Sequence, residues 1–169
     1  MSLLAVLNGV TPANHACYVL GEQLVKYAAD PLPAYDLAGM LYMSATGYGL
    51  LSVPNALVRG VFDAMNETGV QLPPGPDGRF NAHITVFKPD EIKKLGGPNG
   101  LTERGKTFNY RLGGLVSVAP AGWPEVSKVW MLRVHSPELQ ELRRTYGFSS
   151  RPNNGEWDFH ITVAVRRTG

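Results

Sequence analysis

Short apolar runs alternate along this chain with polar stretches rich in proline, glycine and asparagine, and the period of each run indicates the element it forms. Met40–Ser44 and Tyr48–Val53 read as strands, with Gly47 and Gly49 marking a turn or a close approach. Leu57, Val58, Val61, Phe62 and Met65 recur at helical spacing and predict a helix over Pro54–Glu67. The loop Gly69–Gly78 then leads into an apolar strand that carries His83-Ile84-Thr85. Pro89–Arg104, with Gly96-Gly97-Pro98-Asn99-Gly100 inside it, reads as loop. Strands are expected around Thr107–Leu112, Leu115–Val118 and Val129–Val134. The next helix carries its own end signals. Ser136 caps it, Pro137 opens it, Glu138 and Glu141 lie early, Arg143 and Arg144 lie late, and Gly147 follows. The loop Ser149–Glu156 delivers a last strand with His160-Ile161-Thr162. Upstream of all this, Thr11 and Pro12 start a helix predicted over Pro12–Ala29, with Cys17, Leu20, Leu24 and Ala28 on one stripe and Asp30-Pro31-Leu32-Pro33 as its stop.

The two halves repeat one order: strand, helix, polar loop, His-Ile-Thr strand. Such a duplication predicts an α+β fold of mainly antiparallel strands, built as two similar sheet-and-helix lobes facing each other. We expect one domain over residues 1–169, with lobe 1 at about 39–95, lobe 2 at about 105–167 and the N-terminal helix at about 12–29.

Composition narrows the class. Of 169 residues, 44% are hydrophobic and 18% charged, which suits a globular chain. Apolar runs such as Leu3–Leu7 are far too short to span a bilayer, and Met1–Leu7 lacks the basic start of a secretory leader. A lone cysteine, Cys17, forms no internal disulfide and is compatible with a reducing cytosol. A cytoplasmic monomer without membrane contact is therefore expected. The net charge of +2 argues against coating long nucleic acid by charge alone.

The repeated tripeptide carries the chemistry. Side chains alternate faces along a strand, so His83 and Thr85 point one way, about 7 Å apart, while Ile84 points the other. The same holds for His160, Thr162 and Ile161. Two such strands side by side surround one small space with two imidazoles and two hydroxyls. Near neutrality one imidazole serves as base and a protonated one as acid, and threonine hydroxyls are fixed donors to phosphoryl oxygens. This scheme calls for no metal and no cofactor. A zinc site built on His83 and His160 lacks a motif for a third ligand, and Cys17 on an apolar stripe is a poor nucleophile. His15 and His135, without a threonine partner, read as surface or structural residues.

Flanking residues supply candidate substrate contacts. Tyr48, Phe87, Trp123, Trp130 and Trp157 are aromatic rings available to stack on nucleobases, Phe87 sharing the parity of His83 and Thr85. Lys88, Arg151 and Arg166 are cations that could meet flanking phosphates. The loops before the two motifs, Gly69–Asn81 and Ser149–Asp158, are where specificity is expected.

With both motifs in the form hydrophobic-His-x-Thr-hydrophobic, the chain resembles the two-histidine (2H) phosphoesterase superfamily. The resemblance runs from about Met40 to Arg167, through Thr107–Leu115, the turn near Pro120–Pro124, the strand Lys128–Leu132 and the helix with Leu139 and Leu142. It implies a bilobal fold with a central cleft and catalysis by His83, Thr85, His160 and Thr162 without metal. It also implies cleavage or formation of 2′–5′ or 2′,3′-cyclic phosphate linkages, in RNA ends or small nucleotides. A phosphodiesterase acting on a nucleotide, short oligonucleotide or cyclic oligonucleotide is the expectation. The alternatives are RNA 2′–5′ end processing or ligation, and a non-catalytic module that sequesters nucleotides, for instance to counter host nucleotide signalling.

Overall fold

A computed structural model describes residues 37–75, 79–152, 155 and 158–169. The helix expected at 12–29, with Cys17 and His15, lies outside the described residues, as does Trp157. Strands β1 (Leu37–Met43) and β2 (Gly49–Ser52) are followed by helix α1 (Asn55–Met65), β3 (His83–Phe87), α2 (Pro89–Lys94) and a 3-10 turn (Pro98–Gly100). Then come β4 (Thr107–Val118), β5 (Val126–His135), α3 (Pro137–Thr145) and β6 (Phe159–Arg167). All strand pairs are antiparallel, and the strands close into a ring in the order β1-β2-β3-β6-β5-β4. The α+β class with mainly antiparallel strands is as the sequence pattern implies.

Strands of the first half of the chain lie together in this ring, as do those of the second, and the halves meet at two seams, β1–β4 and β3–β6. One apolar row crosses the sheet in register: Leu41 pairs with Leu51, Leu51 with Ile84, Ile84 with Ile161, Ile161 with Leu132, and Leu132 with Leu115. Each of the six is at most 1% exposed, and full burial of such a side chain is worth about 1.5–3 kcal/mol. Val58 and Val61 of α1 and Leu139 and Leu142 of α3 join the same cluster. Both helices also reach across to the other half, α1 packing on β6 and α3 on β3, while α3 packs on β4 within its own half.

Local chemistry explains the elements. Ser136 accepts a hydrogen bond from the Leu139 amide and donates one to the Asn109 carbonyl, so the expected cap also ties α3 to β4. Asn55, opening α1, accepts from the Ala82 amide at 2.7 Å and thereby aims the chain entering β3. Two stretches differ from expectation. Thr107–Val118 is a single strand, because the break anticipated at Gly113-Gly114 is a register irregularity rather than an end. A side chain at Gly113 would crowd the Arg133 Cβ at 3.1 Å, which is why β4 can pass so close to β5 there. The stretch expected as loop after Lys88 holds α2, too short to show a period. Its ends are nevertheless encoded by Pro89, the early acids Asp90 and Glu91, the late Lys93 and Lys94, and Gly96 at φ +88°.

Candidate functional site at the seam of β3 and β6

Antiparallel pairing of Ile84 with Ile161 fixes the neighbours on the opposite face of the sheet. One step along each strand sets His83 across from Thr162 and Thr85 across from His160. Such cross-strand neighbours stand about 4.5–5.5 Å apart at Cβ, and the diagonal pair, here the two histidines, about 7–8 Å. All four side chains are partly exposed while the two isoleucines behind them have no exposed surface. The sheet thus presents two imidazoles and two hydroxyls on one open face over a rigid apolar floor.

Each imidazole is held the same way. His83 Nδ1 lies 2.7 Å from the Asn81 carbonyl oxygen, and His160 Nδ1 lies 3.2 Å from that of Asp158. A carbonyl only accepts, so Nδ1 carries the proton in both rings, and Nε2 of the neutral form is a bare lone pair. That is the atom able to take a proton, and once charged, to give it back. The two rings sense each other. Burial pushes the His160 pKa below the ordinary histidine value and the charge of His83 pushes it further down, against an upward pull from the Asp158 carbonyl and carboxylate. The balance favours the neutral form of His160, whose proton then sits on Nδ1.

The family model of the Swiss Army Knife 2H phosphoesterase domain matches residues 51–169, which is well over half of the chain and includes both motifs. The chain belongs to the 2H phosphoesterase superfamily. No curated protein and no solved structure matches it. Membership supports a phosphoesterase-type activity on a nucleotide or RNA-type substrate. No helix among the described residues is long and apolar enough to cross a membrane. No three His, Cys, Asp or Glu side chains among them are grouped to hold a metal ion.

The flanking aromatics and cations expected of this 2H domain fall in different places. Phe87 is a correction: it has no exposed surface and packs edge-on against Tyr146 and Phe148, so it cannot stack on a base. Its parity with Thr85 fails because the β2–β3 register slips between Gly49 and Leu50, one step on β2 answering two on β3. Trp130 is likewise buried, under Lys128 and Arg166. Arg166 lies farther off. It pairs with Glu67 and the Thr68 carbonyl, four residues beyond Thr162 and so about 13 Å along the strand from the site. Tyr48 lies partly exposed in the turn entering β2, Lys88 sits at the start of α2, and Trp123 is exposed in the β4–β5 turn. Arg151 bonds Asp158. His135 ends β5, exposed.

Residues not anticipated from sequence gather behind the histidines. Asn81 donates from Nδ2 to the Tyr42 hydroxyl, and Asp158 is gripped by Arg133 and Arg151. One signal was available: the residue two before each histidine is Asn or Asp, a position that parity places on the histidine's own side.

Proposed function

We propose that this protein is a phosphodiesterase that hydrolyses a nucleotide or short oligonucleotide with His83 and His160 as its acid–base pair and Thr85 and Thr162 as phosphate donors. The observation that carries this is the matched pair of Nδ1-to-carbonyl bonds, which puts the Nε2 lone pair of each neutral imidazole at one seam. With a 2′,3′-cyclic phosphate in the cleft, neutral His160 takes a proton from the attacking water at Nε2. The new P–O bond forms as the bond to the in-line ribose oxygen breaks, and protonated His83 hands its Nε2 proton to that oxygen. The threonine hydroxyls donate to the non-bridging oxygens, where charge builds. Proton exchange with solvent resets the pair. The lowered pKa of His160 supports its assignment as the base, since a group that stays neutral near pH 7 is ready to accept.

Three substrate classes suit this chemistry: 2′,3′-cyclic ends, 2′–5′ linkages and cyclic oligonucleotides. The family's chemistry runs both ways across such linkages, so 2′–5′ ligation is the second reading. Incubation with a panel of the three, with products identified by mass, tests the proposal. Product from at least one class, unaffected by a chelator, is expected. Ligand-induced thermal stabilisation without product would replace the enzyme by a sequestering module, and a large loss with chelator would bring in a metal.

A further inference from the structure

The two histidines share a tripeptide and an anchoring bond, but the residues two positions upstream differ in charge. At the first motif the neutral Asn81 meets Tyr42; at the second, Asp158 is an anion held by two cations. Arg133 bonds one carboxylate oxygen through Nε at 3.2 Å and Nη2 at 2.6 Å, and Arg151 takes the other at 3.1 Å. Arg133 is also the register partner of His160 across the β5–β6 pair. One side chain therefore flanks the imidazole and holds the residue whose carbonyl orients it. Gly113 lets β4 close over Arg133 from the other side. These ion pairs are half-exposed and add little to stability, so their effect falls on placement and charge.

Resting on the reading of His160 as a catalytic base, we infer that Asp158 is its positioning residue and that Arg133 and Arg151 neutralise Asp158 so that the base stays uncharged at neutral pH. A bare carboxylate at this place would favour the imidazolium and withdraw the base. Clamped, it fixes the carbonyl and the Nδ1–H tautomer while the two arginines offset part of its upward pull on the imidazole. Burial pushes the Asp158 carboxyl up, but the hydrogen bonds and charges of Arg133 and Arg151 outweigh this and hold it below the usual carboxylate value. Charged or titratable groups beside His160 include His83 from β3, Arg133 as its register partner on β5, and Asp158 from the segment entering β6, with Arg151 on the Asp158 carboxylate. Helix α1 packs against β6 by its apolar stripe. At the first motif the neutral Asn81 stands in the place of Asp158, which on this view suits a histidine that has to carry a proton.

The test is a titration of the imidazole nitrogens by NMR in the full chain, His160 being assigned by its loss in His160→Ala. It is paired with pH profiles of kcat/KM. Arg133→Met should raise the His160 midpoint and move the acid limb of the profile to higher pH, with kcat/KM at pH 6 falling about tenfold. Asp158→Asn keeps the carbonyl but removes the charge, so it should lower the midpoint and move the limb the other way. Arg133→Lys should restore much of the wild-type profile, and the wild-type ring should show the Nδ1–H tautomer. Midpoints that do not move, or that move in the same direction in both variants, overturn the inference. The NMR arm needs no turnover, so an inactive protein with opposed midpoint shifts would sink the phosphodiesterase reading and leave the clamp standing.

Discussion

The two His-Ile-Thr strands are identical over four residues and point their imidazoles through the same kind of bond, yet the ion pairs that hold them stand at opposite ends. β3 is locked beyond its motif. The buried Arg143 guanidinium donates to the Val86 carbonyl and to both oxygens of Glu91, with Phe87 and Phe148 against its faces. β6 is locked before its motif, by Asp158 and its two arginines at the solvent edge. A duplicated tripeptide thus acquires two environments, one held by a buried charge pair and the other by an exposed one. Equal groups thereby meet unequal electrostatic surroundings.

The largest effect expected comes from breaking the pair itself. His83→Ala and His160→Ala should each lower turnover by about 10²–10⁴-fold while leaving the fold intact, as read by steady-state kinetics and circular dichroism. Thr85→Val or Thr162→Val should cost less, on the order of a hundredfold, since each removes one of several donors. Full activity in any of these would take that residue out of the mechanism.

Breaking the lock on β3 is a matter of stability. Arg143 is 1% exposed at its side chain, so Arg143→Met strands Glu91 and should destabilise by about 3–5 kcal/mol in urea unfolding. The matching loss at Arg133 should be under about 1 kcal/mol, since that pair is half in water. Similar losses at both positions would refute the contrast between a buried and an exposed lock.

The smallest effect sharpens the contrast between the histidines. Because burial lowers the His160 pKa in the folded state, the unfolded chain binds its proton more readily. The stability this contributes is therefore present above the ordinary histidine value near 6.5 and is lost as pH falls through the lower folded value. Urea midpoints should drop between pH 7 and pH 5, and His160→Gln should flatten that drop. An unchanged slope in the variant would assign the acid sensitivity elsewhere.

Much of this architecture was legible in the sequence because strong local signals agreed with the fold. The Ile84 and Ile161 alternation placed the histidines and threonines on one side of their strands, and Ser136-Pro137 with Gly147 bounded α3. What escaped depended on pairing between distant segments. Phe87 followed the parity of its own strand, and only the slip between β2 and β3 turned it inward. Arg143 had the sequence position of a dipole-compensating helix end, but burial against Glu91 and Phe87 follows from α2 and β3 arriving there. Arg133 could be seen to alternate with Leu132 and Val134. That it lies beside His160 is set by the β5–β6 register, which no local pattern encodes. α2 was missed for the opposite reason: six residues are too few to display a period, although its capping residues were on view.

The most direct measurement of the central idea is the pH dependence of kcat/KM for the wild type and for His160→Ala, on whichever cyclic or 2′–5′ substrate the panel yields. Two imidazoles sharing a phosphorus centre as base and acid predict a bell-shaped profile whose acid limb vanishes in the variant along with most of the rate. A flat wild-type profile, or an acid limb that persists unchanged without His160, would contradict it.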